Sequence, residues 1–312
     1  MTVSVKVAYV FPGQGSQWVG MGRDLYDSFD SARAIFQQAD EVLGFSLSRL
    51  CFDGPEDELR LTINTQPALV AVSLACLKAA ADIADSNKLP PPAFVAGHSL
   101  GEYTALAAAN VLDFATTVYL ARHRGRLMHE AGLKRPGGML AIIGLDETAL
   151  SEVCRQTDTC IANFNCPGQM VISGAAENLP KAADLAKARG ASRVIPLAVS
   201  GAFHSPLMQS AVDGMSQIIA TIDFQQPAVP VIANTSAQPL TTAQQMKTEL
   251  LSQLRSAVQW QRSIEYMVNN GVSTFVEIGP GRVLSGLIKR INKDVNILNI
   301  GDAAAIKSLG NL

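Results

Sequence analysis

Histidine is scarce in this chain: His98, His123, His129 and His204 are the only four in 312 residues, and none follows His204. Any reading that needs a general base must choose among them. Charge is sparse as well, at 17% of residues, and 25 basic against 27 acidic side chains leave a net charge of −2. The clustered excess of Lys and Arg that marks a nucleic-acid binder is missing, so no nucleic-acid partner is expected. The five cysteines, Cys51, Cys76, Cys154, Cys160 and Cys166, are odd in number and none stands in a Cys-x-x-Cys pair. That spacing argues against a disulfide framework and a zinc site, and predicts reduced thiols. The N-terminus shows no signal-peptide pattern, and no apolar run reads as long enough to span a bilayer. A soluble, cytoplasmic protein with no membrane partner is expected.

What the chain has is apolar bulk. Hydrophobic residues make up 48% of it, which allows a substantial core, and its length predicts a large domain or a large one carrying a small one. Its most specific segment is Val95-Ala96-Gly97-His98-Ser99-Leu100-Gly101-Glu102-Tyr103. An apolar run, Ala93 to Ala96, ends in Gly-x-Ser-x-Gly, and a helix-like run, Ala105 to Ala109, follows. This is the pattern of a nucleophile elbow, in which a sharp turn lifts a serine hydroxyl to the top of a sheet. Gly97 and Gly101 are needed because side chains there would meet neighbouring backbone. The helix N-terminus beside Ser99 suits an oxyanion. The bland alternative is a glycine-rich turn without chemistry; a strand before and a helix after favour the nucleophile. A second glycine-rich loop, Pro12-Gly13-Gln14-Gly15-Ser16-Gln17, follows an apolar strand from Val5 to Phe11. It lacks the third glycine of a dinucleotide fingerprint and the lysine of a phosphate loop, so it reads instead as backbone amides aimed at a ligand.

Elsewhere, helices are predicted at Asp30 to Leu43, Gln66 to Asp85 and Asp113 to Ala131, the last with Asp113 as N-cap. Gly137-Gly138 breaks that pattern. Then come a strand, Met139 to Ile143; a helix, Asp146 to Arg155; a hairpin of Thr159 to Asn165 and Met170 to Ser173; a helix, Glu177 to Ala188; and a strand, Val194 to Pro196. The order βαββαβ is that of a ferredoxin-like unit. Beyond it, helices are predicted at Ser205 to Ile222, Ala243 to Leu254, Trp260 to Asn270 and Val283 to Ile291. Strands are predicted at Val229 to Ile232, Thr274 to Ile278 and Asn296 to Ile300. Alternating strands and helices imply a mostly parallel sheet covered on both faces. The fold class expected is α/β: a large α/β-hydrolase-like subdomain with a parallel sheet, residues 1–132 and 199–312, and an inserted ferredoxin-like subdomain, residues 133–198.

Ser99 needs a base. His98 is its neighbour and in an elbow points away; His123 and His129 lie on a helix among arginines. His204 stands in Val199-Ser200-Gly201-Ala202-Phe203-His204-Ser205-Pro206, a loop opening a helix, where functional residues concentrate. It is the best candidate, against the bland reading of a lone packed histidine. No acid announces itself beside it, and an ordinary hydrolase would carry its histidine late in the chain. A Ser-His dyad oriented by something other than a carboxylate fits better. Cys166, in a predicted turn, is a poor second nucleophile.

Together with Thr65-Gln66-Pro67-Ala68, Arg124-Gly125 before Leu127-Met128, Asn163-Phe164-Asn165, Pro167-Gly168-Gln169, Pro230 to Asn234, Val258-Gln259-Trp260 and Glu277-Ile278-Gly279-Pro280-Gly281, these segments resemble, in order and over nearly the whole chain, the malonyl-CoA:acyl carrier protein transacylases of bacterial or plastid type II fatty acid synthesis. The resemblance implies that Ser99 is acylated, that His204 is its base, and that Arg124 binds the free malonyl carboxylate. It further implies that Gln14 and Leu100 supply backbone N–H groups for the oxyanion, and that Gln259 helps orient His204. Spacing alone does not separate Arg124 from Arg122 and Arg126; the resemblance selects it. His129 is a departure, standing where the bacterial family often has Gln.

The implied partners are malonyl-CoA and an acidic acyl carrier protein, which Lys187, Arg189, Lys289, Arg290 and Lys293 would steer. The chain would act as a monomer with no cofactor or metal, since CoA and the carrier's phosphopantetheine are substrates. Three rivals remain: a serine esterase or thioesterase, a related acyltransferase of polyketide or specialised-lipid assembly, and a binding module without turnover.

Overall fold

Residues 6–83 and 89–310 are described in a computed structural model of the chain; the expected strand start at Val5 and helix end at Asp85 lie outside them. The strands among them are β1 (Lys6–Phe11), β2 (Phe94–Gly97), β3 (Gly137–Ile143), β4 (Thr159–Cys166), β5 (Gln169–Ala175), β6 (Arg193–Pro196), β7 (Val231–Ile232), β8 (Pro239–Leu240), β9 (Val272–Ile278) and β10 (Asn296–Ile300). They form two sheets. The larger has the order β10-β9-β1-β2-β7-β8. Its first five strands run parallel, and β8 is antiparallel to β7.

Burial on both faces explains why its strands read as apolar runs rather than as alternating patterns. Along β1, Val7, Tyr9 and Phe11 enter one core with the helices Asp30–Leu43, Thr62–Ile83 and Phe114–Lys134. Ala8 and Val10 enter a second core with the helices Trp260–Asn269 and Val283–Ile291.

The smaller sheet, β4-β5-β3-β6, is antiparallel throughout. With the helices Glu147–Thr157 and Leu179–Ala188 between its strands, it has the ferredoxin-like order predicted. Alternation along its strands divides its residues. Leu140, Ile142, Met170 and Ile172 pack on those two helices, while Met139, Ala141 and Val171 face the main core. A single parallel bridge, Asn163 to Val258, ties β4 to the loop before Trp260.

Several expectations are corrected. The helix ends at Lys134, before Gly137-Gly138 as expected, but the next strand begins at Gly137 instead of Met139; a Cβ at Gly137 would stand 2.7 Å from Gly174 O, so glycine permits the close pairing with β5. Ser205 to Ile222 is not one helix: a 3₁₀ turn, Pro206–Met208, precedes the helix Gln209–Ala220. Cys166 ends β4 rather than lying in the turn. The helices Arg23–Ser28, Leu47–Asp53, Glu56–Arg60 and Ala303–Gly310 were not foreseen, being too short for a full hydrophobic period to show. One run is also apolar enough to cross a membrane by length and composition: Thr62–Ile83, with mean hydropathy 1.4. It is a core helix, 72% of its apolar window lying inside the fold. Pro67 within it cannot donate to the Ile63 carbonyl; Arg122 Nη1 donates there instead, at 2.9 Å.

Candidate active site

β2 ends at Gly97, and the helix Gly101–Ala108 begins four residues later. Between them Ser99 takes φ +52°, a left-handed backbone that costs an L-residue about 1–2 kcal/mol. The surroundings enforce it. A Cβ at Gly97 would stand 1.9 Å from Gly101 C, and one at Gly101 would stand 2.1 Å from Phe11 O. Asn234 Oδ1 accepts from Ser99 N–H at 2.7 Å. The elbow read from the sequence is present.

His204 also has positive φ, +56°, which swings its ring from the loop into the site. Its Nε2 lies 2.7 Å from Ser99 Oγ, and its Nδ1 lies 2.8 Å from the carbonyl of Gln253. A carbonyl only accepts, so Nδ1 carries the hydrogen and Nε2 is left to accept the serine proton. Burial, and then the charge of Arg124, push the imidazole pKa down to about 3. His204 is therefore neutral and ready as a base. Gln253 ends the helix Ala243–Gln253, where terminal carbonyls have no partner within the helix. One of these takes the place of a triad carboxylate.

The expected orienting residue is corrected here. Gln259 does not reach His204. Its backbone N–H donates to Asn234 O at 2.7 Å, and its side chain accepts from Arg262. Gln253, six positions earlier, makes the contact through its backbone, a contact no residue-type pattern reveals.

Arg124 is buried, at 1% exposure. Its Nη1 donates to Gln66 Oε1 at 2.8 Å; its Nη2 donates to Gln253 Oε1 at 2.8 Å and to Ser99 Oγ at 3.2 Å. The ring of Tyr103 lies beneath it, 5.4 Å from the guanidinium carbon. All three acceptors are neutral. Gly125 permits this position, since a Cβ there would stand 2.6 Å from Thr62 O and hold the two helices apart. Arg122 bonds Ile63 O and Asn64, and Arg126 bonds Glu130, so neither enters the site.

A cavity of about 270 Å³ opens above these groups, with Gln14, His98, Ser99, Leu100, Arg124 and His204 in its lining. Gln14 is anchored from the side, its Oε1 accepting from Thr62 Oγ1 at 2.8 Å. Met139, Ala141 and Val171 of the small sheet form an apolar wall. His98 turns from Ser99 as expected: its Nε2 meets Asn165 Oδ1 at 2.8 Å, and its ring stands edge-on to Trp260. The thiol of Cys166 is buried and its pKa pushed up by burial. Among the described residues, no group of three or more His, Cys, Asp or Glu could hold a metal ion.

Beneath the dyad lies a network that sequence reasoning missed. Glu102, fully buried, accepts from Asn234 N–H at 2.8 Å, Asn234 Nδ2 at 3.2 Å and Gln253 Nε2 at 2.5 Å. Burial, and then the nearby Glu249, raise its carboxyl pKa well above the usual range; the donors on Asn234 and Gln253 and the Arg124 charge oppose this. A signal for the network was available. Arg124 falls in register with Leu120, Ala121, Met128 and Ala131, and Gln253 with Met246 and Leu250, all buried. A polar side chain on an apolar stripe must find a buried partner.

The acyl transferase domain family matches this chain over residues 8–309. A malonyl CoA-acyl carrier protein transacylase of Bacillus subtilis is 45% identical over 307 residues, covering 97% of this chain and 95% of the relative. An acyl-carrier-protein-S-malonyltransferase of Bartonella henselae superposes with a TM-score of 0.93 at 42% identity, over 97% of this chain and 98% of that one. A malonyl-transacylase solved in complex with a type II polyketide synthase acyl-carrier protein superposes with a TM-score of 0.93 at 39% identity, over 98% and 99% of the two chains.

Proposed function

The chain belongs to the acyl transferase family that includes the malonyl CoA-acyl carrier protein transacylases, and from this premise we propose that it moves a malonyl group from CoA to the phosphopantetheine thiol of an acyl carrier protein. The observation that carries the acyl specificity is Arg124: a buried guanidinium 3.2 Å from Ser99 Oγ, bonded only to neutral acceptors. A buried cation without an acid is costly. An acyl group with a distal carboxylate supplies the missing charge and fits the planar fork bidentately.

The proposed steps are these. His204 Nε2 takes the proton of Ser99 Oγ as that oxygen attacks the thioester carbonyl. The backbone N–H groups of Gln14 and Leu100 receive the oxyanion. The C–S bond breaks, CoA leaves with the proton from His204, and a malonyl ester remains on Ser99. The carrier thiol then gives its proton to His204 and attacks the ester; the C–O bond breaks and Ser99 takes the proton back. No cofactor enters this scheme. The large α/β subdomain supplies the chemistry, and the inserted ferredoxin-like one, expected over 133–198 although the helix before it runs to Lys134, supplies the apolar wall. The reading takes the chain to act as a monomer in the cytoplasm. The same site would serve fatty acid or polyketide assembly. The esterase rival is disfavoured because His204 Nδ1 bonds a backbone carbonyl and because an uncharged acyl group leaves Arg124 without an acid.

Mass spectrometry tests the proposal. Incubation with malonyl-CoA should add one malonyl group, and Ser99→Ala should abolish the adduct. An adduct that persists in the variant would overturn the assignment of Ser99.

A further inference from the structure

Glu102 is the one formal charge in the elbow helix Gly101–Ala108, and no cation touches it. Between it and Arg124 stands a single amide. The hydrogen-bond accounting around that amide is complete. Gln253 Nε2 donates to Glu102 Oε2 at 2.5 Å and to Ser99 O at 2.9 Å, which uses both its hydrogens; its Oε1 accepts from Arg124 Nη2 at 2.8 Å. Turned over, the amide would set its NH₂ against the guanidinium and its oxygen against the carboxylate, two repulsive contacts in a dry site. Asn234 is constrained in the same way. Its Nδ2 donates to Gly97 O at 2.7 Å and to Glu102 Oε1 at 3.2 Å, leaving Oδ1 to accept from Ser99 N–H at 2.7 Å. Every atom hydrogen-bonded to the Glu102 carboxylate is a donor, and a protonated carboxyl would need an acceptor there, so this donor set keeps the group ionised against the upward push of burial.

We infer that Glu102 is a positioning residue for the transfer: its carboxylate sets the orientation of two amides, one holding the peptide of the nucleophile and the other aiming Arg124 at the acyl carboxylate. The same Gln253 carries the backbone carbonyl that holds His204, so one buried anion orders all three groups of the site without touching substrate. The inference rests on the malonyl-transfer reading above. It adds to that reading a specificity determinant that acts through an intermediary.

Glu102→Gln tests it, because the side chain keeps its shape while one acceptor becomes a donor facing Gln253 Nε2. Two quantities are read: kcat for malonyl transfer, and the ratio of malonyl to acetyl transfer efficiency. The ratio does not depend on how much of the preparation is folded, so a merely structural role would leave it unmoved. Misaim of Arg124 should lower kcat by about 10²-fold, the scale of a 1 Å misplacement, and should lower the ratio about 10-fold. Glu102→Asp, which keeps the charge but draws it back, should fall between. A parent protein without malonyl preference would sink the proposed function. A preferring parent whose ratio is unchanged in Glu102→Gln would sink this inference alone. Failure of both variants to fold would also overturn it, by making the carboxylate a requirement of the fold instead of the site.

Discussion

Ser99 Oγ and Arg124 Nη2 lie 3.2 Å apart, yet the two ends of the site are held by different means. At the nucleophile end the backbone fixes the turn, and the side chains of Asn234 and Gln253 only brace its peptide. Two glycines with no room for a Cβ force the turn, and the hydroxyl is placed by chain geometry within a few residues. At the guanidinium end side chains from separate segments hold the group: Gln66, Arg124 and Gln253 lie on three different helices and meet only in the folded chain. A site held by backbone is rigid and common to many acyl transfers. A site held by side-chain amides can be altered by single substitutions, which makes it the place where acyl specificity is set.

The sharpest way to break this division is His204→Ala. It strikes the nucleophile end and should lower malonyl and acetyl transfer together, by roughly 10²–10⁴-fold, the range for a lost general base. Equal loss for both acyl groups is the point; a loss confined to malonyl would erase the distinction between the ends. The intact residue also carries a pH signature. Its pKa is depressed to about 3, so the base form survives acidification well past the ordinary imidazole value of about 6.5. The acid limb of kcat/KM should lie far below that value, and a limb at 6–7 would contradict this depression by burial and Arg124. Stability has the same sign. Below about 6.5 the unfolded chain takes up a proton at this residue that the folded protein refuses until about 3. The contribution of neutral His204 is therefore complete above 6.5 and is lost as pH falls, at about 1.4 kcal/mol per unit within that window.

Arg124→Ala strikes the other end. Truncating one partner of a buried charge pair costs about 2–5 kcal/mol, or roughly 30-fold and upward. Malonyl transfer should fall by that order, while acetyl transfer should fall much less or even rise in the vacated space. Arg124→Lys should also be poor, because a point charge cannot reproduce the fork. An unchanged malonyl-to-acetyl ratio in Arg124→Ala would show that the arginine is not the carboxylate receptor.

The same division decides what could be read from the sequence. Ser99 was legible because an elbow is local: strand, Gly-x-Ser-x-Gly and helix are contiguous. The βαββαβ unit was legible because its alternating and helical periods change at each boundary. Arg124 was selected by resemblance and not by spacing, although its register with Leu120 and Met128 would have marked it as buried. The resemblance pairs Gln259 with His204, and the structure gives that contact to the backbone of Gln253. A carbonyl has no residue type, so no motif can announce it. Asn234 and Glu102 lie inside recognisable motifs that show no role for them, because their partners lie more than a hundred positions away.

The smallest expected effect belongs to neither end. Lys289 and Arg290 close the helix Val283–Ile291, both exposed. The first turn of that helix, with Val283 and Leu284, reaches the cavity lining, and Arg290 Nη1 donates to Gln169 Oε1, at the cavity wall, at 2.7 Å. Lys187 and Arg189 are exposed on the small subdomain, where Lys187 is 3.7 Å from Asp184. If these cations steer an acidic carrier, they act before docking and through solvent, where charges farther apart than about 10 Å are screened at 0.1 M salt. Raising salt should lower kcat/KM for the carrier severalfold through its association rate. It should leave transfer to a free pantetheine thiol, which has no acidic surface, nearly unchanged. Lys289→Ala should reproduce part of the salt effect and keep the malonyl-to-acetyl ratio of the parent, since it touches neither Ser99 nor Arg124. Carrier kinetics indifferent to salt would rule out electrostatic steering and leave both ends of the site as described.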